Sequence, residues 1–594
     1  MMRGIKKRLS RWAPLALCLS LAACAAPSSV PGRVLLRVDS LATGSQPSRP
    51  AVLRQADGTP ALVYATPNQQ RIRFQRGTAP AIELDTTARV QGGNRFQLVS
   101  GREPGRLYAF WWSHQDGKSV YFTHSDDNGQ SFGPVAEVND DHGVLPPFSL
   151  LQGPGNVLGM TYEDERVKKY AAYFNRSTDA GRSWPRPDQR LDAPPADGGS
   201  SDVHDPYAVE LGPDWFVAWT ESAREPDGLR YRIVARRSSD AGLHWSEPQV
   251  LYRSKHQISA FALAVDGERV VLAADDHSEG VVALFSTDRG QTWRVTPPAP
   301  GSQAQTNSGT RVAISGGRAH LAWSVDRTGG LKPAVYTASL DLAEARWIGE
   351  ARRLDLKAVE QSLSMEPEIV ALPSGVLVAS WTDYRDIRPN IYLAASFDAG
   401  THWTPPQPVL APGRLAAGRA RPLAWGEALV LAYEEYPNDL PMQGRFVLRE
   451  LPLDLRAARF GDFGHPTPPS EEARRARLEA RVQALWSARV AGDYEPTYDM
   501  FDFAFKAARP KSNYLESVGV ITYHGFQTEG IDIQGNEAKV KMKIKYEMKP
   551  TLLPTGREVK VLPVEVEATN TWVWVGDDWY LKFEPAVGEP LLKY

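Results

Sequence analysis

The chain has 594 residues, of which 42% are hydrophobic, and a formal net charge of −2 at pH 7. This length and composition predict a globular protein with at least two domains. A nearly balanced charge without a long basic run makes nucleic acid an unlikely partner. The only cysteines are Cys18 and Cys24, so we expect neither a disulfide nor a thiol nucleophile in the processed protein.

The first 23 residues are predicted to be a signal peptide. Basic residues between Arg3 and Arg11 precede an apolar run from Trp12 to Ala23, which is shorter than the roughly 20 residues of a membrane-spanning helix. The run ends in Leu21-Ala22-Ala23-Cys24, which resembles the lipobox of bacterial lipoproteins. The resemblance implies cleavage before Cys24 and lipidation of its sulfur and amine; an ordinary secretory signal is the alternative.

Two or more acyl chains anchor a protein stably to a membrane. Ala25 follows the cysteine, which resembles the outer-membrane sorting class of Gram-negative lipoproteins. We therefore expect a lipid anchor in the bacterial outer membrane, with residues 24–31 as the tether. The sequence leaves open whether the protein faces the periplasm or the exterior.

A short motif, Ser-x-Asp-x-Gly-x-x-Trp/Phe, recurs along the middle of the chain. An aspartate can accept hydrogen bonds from the backbone of a tight turn, and glycine adopts a positive φ without strain. The final aromatic residue buries a large apolar surface. The copies are Ser125–Phe132, Ser177–Trp184, Ser238–Trp245, Ser286–Trp293 and Ser396–Trp403, with a degenerate copy at Ser339–Trp347. We expect a purely structural role for the turn aspartates, assigned as Asp126, Asp179, Asp240, Asp288 and Asp398.

Each copy lies in a longer unit of short strands, and eight such units follow one another. Their second strands are predicted at Pro60–Ala65, Leu107–Trp112, Val157–Tyr162, Trp215–Thr220, Arg269–Ala274, Ala319–Trp323, Val376–Trp381 and Ala428–Tyr433. Evenly spaced short strands with turns between them predict a β-propeller over residues 32–460. Eight blades are favoured, with six or seven as alternatives. Val34–Val38 is expected to complete the last blade and close the ring.

The recurring motif resembles the Asp-box, or BNR repeat, of the sialidase-like propellers. Catalytic members of that group use three arginines, a carboxylic acid and a tyrosine paired with a glutamate. Here the nearest match to the first arginine motif, Ser48-Arg49-Pro50, lacks the usual isoleucine, and no Asp or Glu lies between Asp57 and Glu83. Loss of a general acid typically lowers a rate by about 10²- to 10⁴-fold. We therefore expect a non-catalytic propeller.

One face of the ring is expected to hold the ligand. The loops between second and third strands, and those between blades, open opposite the Asp-box turns. They contain acids and basic residues that include Glu163, Asp275, Glu366, Arg419 and Glu434. The candidate ligand residues are His114, Asp164, Arg166, Asp205, His256, Asp276, Arg311, Asp383, Arg385 and Arg421.

The repeated acid–arginine pairs at residues 164–166 and 383–385 are more typical of salt bridges than of a catalytic dyad. Asp202-x-His204-Asp205 is too weak a pattern to predict a metal site. We expect no metal and no cofactor.

A proline-rich linker, residues 461–470, precedes a smaller α+β domain at residues 471–594. Ser470 is a good N-cap for a helix with Leu478, Val482, Leu485 and Val490 on one face. A second helix is predicted at Glu495–Ala508, followed by strands at Glu537–Met548, Glu558–Glu567, Asn570–Val575 and Trp579–Phe583. With the run Trp486–Tyr494, this order resembles the cone-shaped fold of the nuclear transport factor 2 and SnoaL-like groups, whose members often pair through the sheet and use the cone as a pocket.

Together these features predict a lipid-anchored envelope protein. Its propeller would bind a glycan or an envelope protein without catalysis, and its C-terminal domain would mediate dimerisation or bind a small ligand. The alternative is an exo-acting, sialidase-like glycoside hydrolase. The membrane, through the lipid, and the glycan or envelope protein are the expected partners.

Overall fold

The structure is a computed structural model, and it describes most of the chain after residue 31. The described ranges are 32–39, 50–66, 71–86, 96–114, 117–167, 169–192, 202–225, 228–303, 306–326, 333–356, 363–386, 388–411, 415–436, 444–463, 469–502, 505–506, 509–552, 558–575 and 578–582. The predicted signal peptide, the predicted lipidation site Cys24 and Arg49 lie outside these ranges.

Eight antiparallel sheets follow one another along the chain, and the fold is a β-propeller. In each of blades 1 to 7, four consecutive strands pair in chain order. The strands are Ala51–Arg54, Pro60–Ala65, Ile72–Arg76 and Ile82–Asp85 (blade 1); Phe96–Ser100, Leu107–Ser113, Ser119–Ser125 and Ala136–Glu137 (blade 2); Val144–Gln152, Leu158–Asp164, Ala171–Ser177 and Gln189–Arg190 (blade 3); and Asp202–Leu211, Asp214–Glu225, Gly228–Ser238 and Gln249–Ser254 (blade 4).

The second half of the ring repeats this plan. Its strands are Ile258–Asp266, Arg269–Asp276, Gly280–Ser286 and Arg294–Val295 (blade 5); Thr306–Ser315, Arg318–Asp326, Pro333–Asp341, Arg346–Trp347 and Arg352–Arg353 (blade 6); Ser364–Ala371, Leu377–Asp386, Arg388–Ser396 and Gln407–Pro408 (blade 7); and Ala416–Trp425, Ala428–Tyr436, Arg445–Leu451 and the N-terminal strand Arg33–Val38 (blade 8). A small hairpin, Leu453–Asp454 with Arg459–Phe460, follows.

The N-terminal strand closes the ring. Arg33–Val38 pairs antiparallel with Arg445–Leu451 and becomes the outer strand of blade 8. The prediction that this strand completes the last blade is confirmed, as is the count of eight blades. Closure therefore covers the outer edge of Arg445–Leu451, the third strand of blade 8, with a strand from the opposite end of the propeller sequence.

Large side chains on the second strands fill the space between neighbouring blades. Trp111, Trp215, Trp323 and Trp381 are at most 1% exposed. Full burial of one large apolar side chain stabilises the fold by about 2–3 kcal/mol relative to exposure. First strands of successive blades contact one another along most of the ring, so the first strand of each blade is the innermost.

The Asp-box turns lie at one end of the blades, which we call the turn end. In the first box, the Ser125 hydroxyl donates to Asp127 at 2.7 Å and accepts from the Gly129 backbone N–H at 2.8 Å. Asp127 also accepts from the backbone and side chain of Ser131. The assignment of Asp126 as the turn aspartate was therefore wrong, because Asp126 instead pairs with Arg106.

The other four boxes repeat this geometry around Asp179, Asp240, Asp288 and Asp398. In each box, the serine hydroxyl donates to the aspartate and accepts from the glycine N–H. The repetition ties each turn to its own strand.

The C-terminal domain packs a long helix, α1 (Glu471–Ala491), on a four-stranded antiparallel sheet. The Ser470 hydroxyl accepts from Ala473 N and caps the helix, as predicted. Leu478, Val482 and Leu485 are buried, whereas Val490 is 38% exposed, because Trp486 occupies the buried face instead. The sheet consists of Ile521–Gln534, Glu537–Leu552, Glu558–Val575 and Asp578–Leu581.

Two predictions for this domain were wrong. The helix expected at Glu495–Ala508 is interrupted: α2 (Glu495–Tyr498) is a single turn, and Phe501 forms a β-bridge to Leu581 before the chain becomes helical again at 505–506. A separate helix, α3 (Lys511–Ser517), begins after Pro510. The two strands expected between residues 558 and 575 form one continuous strand, and the long strand Ile521–Gln534 was not predicted. Within the described residues, no helix is long and apolar enough to cross a membrane.

Candidate functional site at the inner rim

The innermost strands of blades 3 to 8 share a break in their pairing close to where each strand begins. In each, the register with the second strand shifts across two residues, which forms a β-bulge. The two shifted residues are Pro146-Pro147, Asp205-Pro206, Ser259-Ala260, Gly309-Thr310, Glu366-Pro367 and Arg419-Ala420. Bulges are frequent next to binding sites, where they redirect side chains.

Three of these bulges hold charged residues in the left-handed region. Asp205, Glu366 and Arg419 have φ values of 54°, 54° and 55°. This conformation costs a non-glycine residue of the order of 1–3 kcal/mol. The strand pairing on both sides of each bulge holds these residues in the strained conformation at equivalent positions of blades 4, 7 and 8.

The bulges lie at the end of the blades opposite the Asp-box turns, which we call the rim end. We define the inner rim as the bulge residues and the residues just after them in blades 4 to 8. Its side chains include Asp205, Tyr207, Ser259, Phe261, Thr310, Arg311, Glu366, Glu368, Arg419 and Arg421. Tyr207 and Phe261 pack edge-to-face at 5.6 Å between ring centroids, and Arg311 Nε lies 3.1 Å from Glu368 Oε1.

The second strands end next to the inner rim, and successive side chains there point in opposite directions. One set of acids contacts the inner strands. Glu163 accepts from the backbone N–H of Asp205 at 3.0 Å, Asp275 accepts from the Thr310 hydroxyl, and Glu434 lies 3.3 Å from Arg419 Nη1.

On the second strands of the blades, acids one position further along the chain have a different function. Acids at this position bond within their own blade: Trp219 Nε1 donates to Glu221 at 3.1 Å, Trp381 Nε1 donates to Asp383 at 3.0 Å, and the Tyr433 hydroxyl donates to Glu435 at 3.0 Å. Glu221 and Glu435 also pair with Arg232 and Arg445 of the third strand, and Asp383 accepts from Ser364 of the first, so these acids hold the second strand to its neighbours.

The pairs Asp164–Arg166 and Asp383–Arg385 are two copies of one structural device. In both, the arginine donates its backbone N–H and a side-chain N–H to the aspartate, at 2.7–2.9 Å. The guanidinium carbon then lies 4.2 Å from the centre of a tyrosine ring, Tyr173 or Tyr392. Asp164 and Asp383 are fully buried, so neither carboxylate is available to a ligand.

Asp276 is also structural. It is 1% exposed and accepts from the Tyr252 hydroxyl at 2.8 Å and from Ser278. His114 packs edge-on against Trp112 with 4.1 Å between ring centroids. His256 is exposed in the connection between blades 4 and 5. The structure thus brings Asp205, Arg311 and Arg421 to the inner rim.

Sequence reasoning left Glu163, His204, Glu366, Arg419 and Glu434 out of the candidate set, although they border the rim. Glu163 directly precedes Asp164, and Glu434 directly precedes Glu435. On a strand, adjacent residues face opposite sides, so the choice between neighbours depends on the register, which the loop pattern does not reveal.

Blades 3 and 4 form one section of the site around Glu163, His204 and Asp205. His204 Nδ1 lies 3.4 Å from Glu163 Oε1, and this contact raises the pKa of His204. Burial raises the pKa of Asp205, and the nearby Glu163 raises it further. The Asp205 carboxyl makes no hydrogen bond to any described residue.

A surface cleft of about 450 Å³ opens beside this section. It is lined by Glu165, Lys169, Tyr170 and Asp202. Lys169 pairs with Asp202 at 3.1 Å, and the Tyr170 ring packs against His204 with 4.9 Å between centroids. The cleft therefore lies between blades 3 and 4, next to His204.

Blades 7 and 8 form a second section. The Tyr436 hydroxyl donates to Glu434 Oε2 at 2.7 Å, and the Arg419 side chain contacts the same oxygen. Glu366 accepts from the Thr382 hydroxyl at 3.0 Å. Burial, followed by the Glu434 charge, raises the pKa of Tyr436 well above its usual range. Among the described residues, no group of three or more His, Cys, Asp or Glu side chains is placed to hold a metal ion.

No family model matches the chain, and no curated protein matches it. Solved structures with a similar course of the chain include a mutant of the NanB sialidase of Streptococcus pneumoniae, with 10% identity, 71% of this chain and 98% of that chain covered, and a TM-score of 0.32. An ulvan lyase of family PL25 has 10% identity, covers 75% of this chain and 99% of its own, and has a TM-score of 0.41.

A third neighbour is an α-L-arabinofuranosidase from Fusarium graminearum. Its identity is 13%, the match covers 53% of this chain and 99% of that chain, and the TM-score is 0.32. The strand pairing described above establishes the propeller fold of the present protein.

Proposed function

We propose that this protein is a lipid-anchored cell-envelope protein whose propeller binds a glycan at the inner rim without cleaving it. The supporting observation is the charge pairing at the rim. Arg311 and Arg419 each lie against a carboxylate, Glu368 or Glu434. Paired charges of both signs offer hydrogen-bond donors and acceptors without a strong net field, which suits the hydroxyl groups of a neutral saccharide.

Aromatic rings beside these pairs support the same proposal. Tyr207 and Phe261 occupy neighbouring blades of the rim, and Tyr170 lines the adjoining cleft. Ligand sites combine such apolar surfaces with a few polar groups that fix orientation. An acidic saccharide fits less well, because Arg311 and Arg419 are already paired with carboxylates.

The test is direct binding of defined glycans to the full-length protein in detergent. Arg311→Gln is expected to weaken binding at least tenfold, because it removes donors from the rim and leaves Glu368 unpaired. Arg269→Gln is the matched control, since Arg269 pairs with Asp266 at the turn end at 3.2 Å. Equal binding by both variants, or capture of an envelope protein with no affinity for any glycan, would contradict the proposal.

A glycoside hydrolase is the second candidate, and Asp205 favours it. A half-buried carboxyl with a raised pKa and no hydrogen-bond partner among the described residues has the properties of a general acid. Turnover of aryl glycosides by the wild type, abolished in Asp205→Asn and retained in Asp266→Asn, would establish hydrolysis and overturn the non-catalytic proposal.

The anchor and the oligomeric state are separate parts of the proposal. A lipoprotein signal predicts that globomycin causes an unprocessed precursor to accumulate and that Cys24→Ser releases the protein from membranes. Dimerisation through the C-terminal domain predicts twice the monomer mass in light scattering. Processing that globomycin does not affect would contradict the anchor, and a monomer mass would contradict dimerisation.

A further inference from the structure

The guanidinium group of Arg489 lies among aromatic rings at the C-terminal end of helix α1. Its carbon is 4.7 Å from the ring centre of Trp486, 5.9 Å from that of Tyr523 and 6.0 Å from that of Phe501. The Arg489 side chain forms no hydrogen bond and no ion pair with any residue that the structure describes. Its side chain is partly exposed, so a ligand can reach it.

Two tyrosines extend this cluster across the sheet. Tyr523 and Tyr546 are direct partners on neighbouring strands, with 6.4 Å between their ring centroids. Both are partly exposed, and neither hydroxyl bonds to a described residue. Burial raises the pKa of Tyr523, and the Arg489 charge partly opposes this shift, which is consistent with a guanidinium close to the phenol.

The cluster also contains a buried donor without an acceptor. Trp486 is 2% exposed, and its indole N–H has no hydrogen-bond partner in the part of the chain that the structure describes. A structural role explains a cation at the negative end of a helix and over an aromatic ring. It leaves the guanidinium and indole N–H donors unused, however, and buried or half-buried donors are normally satisfied.

We propose that Arg489, Trp486, Tyr523 and Tyr546 form a binding site for a carboxylate joined to an apolar chain. A carboxylate only accepts hydrogen bonds and matches the planar donor edge of a guanidinium. The surrounding rings supply the apolar surface for the rest of the ligand. This site is in the C-terminal domain and does not depend on the inner rim.

The experiment is calorimetric titration of the full-length protein in a non-ionic detergent with dodecanoate, using dodecanol and dodecyltrimethylammonium as probes of the same chain length. Dodecanoate is expected to bind at least tenfold more tightly than either probe. Arg489→Gln should remove that preference. Arg477→Gln is the matched control, because Arg477 is on the same helix and pairs with Asp578 at 2.8 Å.

A second measurement needs no variant. The carboxyl carbon of ¹³C-labelled dodecanoate, followed by NMR, is expected to titrate at a lower pH when bound than when free, because the guanidinium stabilises the ionised form. Equal affinity for dodecanoate and dodecanol would overturn the proposal. So would an unchanged carboxyl titration, or an Arg489→Gln protein that folds and keeps the preference.

Discussion

The two ends of the propeller blades are built on different principles. At the turn end, five Asp-boxes repeat one set of hydrogen bonds, and the groups satisfy one another. At the rim end, equivalent bulge positions carry an aspartate, a serine, a glycine, a glutamate and an arginine. Repetition indicates a structural requirement, whereas variation on a fixed backbone leaves side chains for recognition.

The largest expected effect is at the turn end. Gly181 has φ 81°, and a Cβ added there would overlap the ring of Phe122 in the preceding blade. Gly181→Ala should lower the free energy of unfolding by about 4 kcal/mol, from backbone strain and overpacking together. Thermal unfolding measures the loss.

Gly155→Ala is the matched control for that substitution. Gly155 also has a positive φ, 61°, but no atom of the described residues lies within 4 Å of the added Cβ. It should cost about 1 kcal/mol, from strain alone. Equal melting temperatures for the two variants would show that contact with the neighbouring blade does not matter.

The next effect separates the two kinds of acid at the rim end. Asp383→Asn should destabilise the protein by about 3 kcal/mol, because it leaves the Arg385 charge without its buried partner. Glu163→Gln should cost less, since its carboxylate has only a half-exposed His204 as a charged partner. Glycan binding by the folded proteins should be weakened more by Glu163→Gln than by Asp383→Asn. A larger effect of Asp383→Asn on both stability and binding would contradict this division of the acids into two kinds.

The pH dependence of stability is expected to show two stages. Burial lowers the pKa of His320 from 6.5 to about 4, so the unfolded chain binds more protons than the folded one, and stability falls as pH drops from about 6.5 to 4. Hydrogen bonds from Ser131 lower the pKa of Asp127 to about 2, so its contribution is present above about pH 4 and is lost as pH falls towards 2.

Melting temperatures of single variants, measured as a function of pH, assign each stage to a residue. His320→Gln should flatten the upper stage, and Asp127→Asn should reduce the lower one. Asp126→Asn is the control, because Asp126 makes none of the bonds of the box. If Asp126→Asn reduced the lower stage and Asp127→Asn did not, Asp126 would be the turn aspartate.

The smallest effect on stability is expected at the rim itself. Arg311 is 42% exposed and its partner Glu368 is 18% exposed, so Arg311→Gln should change the unfolding free energy by less than about 1 kcal/mol. The same substitution is expected to weaken glycan binding tenfold. Denaturant unfolding checks the first value, and a loss above 2 kcal/mol would make Arg311 a structural residue like Arg385.

The sequence predicts the turn end well, because the Asp-box is local. Serine, aspartate and glycine within five residues define the turn, and the only error came from the adjacent pair Asp126 and Asp127, which the motif spacing distinguishes. Eight second strands and the closing strand at Val34–Val38 follow from apolar runs of regular spacing. These features require no knowledge of distant partners.

The rim end could not be predicted in the same way. A bulge depends on the register between two strands, and the register decides whether Glu163 or Asp164 contacts the neighbouring blade. The second helix of the C-terminal domain failed for a similar reason, because Phe501 pairs with Leu581 across the domain and ends the helical turn. Long-range contacts override local propensity in both places.

The strand Arg33–Val38 has a mechanical consequence. It enters blade 8 at the turn end, where Arg33 pairs with Glu450, and only eight residues lie between Cys24 and Arg33. Fully extended, the nine Cα-to-Cα steps from Cys24 to Arg33 span about 30 Å. With a lipid on Cys24, the bilayer would lie close to the turn end of blade 8. The rim end of the propeller would then face away from the membrane or sideways. A pulling force on the segment after Cys24 would act along Arg33–Val38 and shear the strand pair that closes the ring.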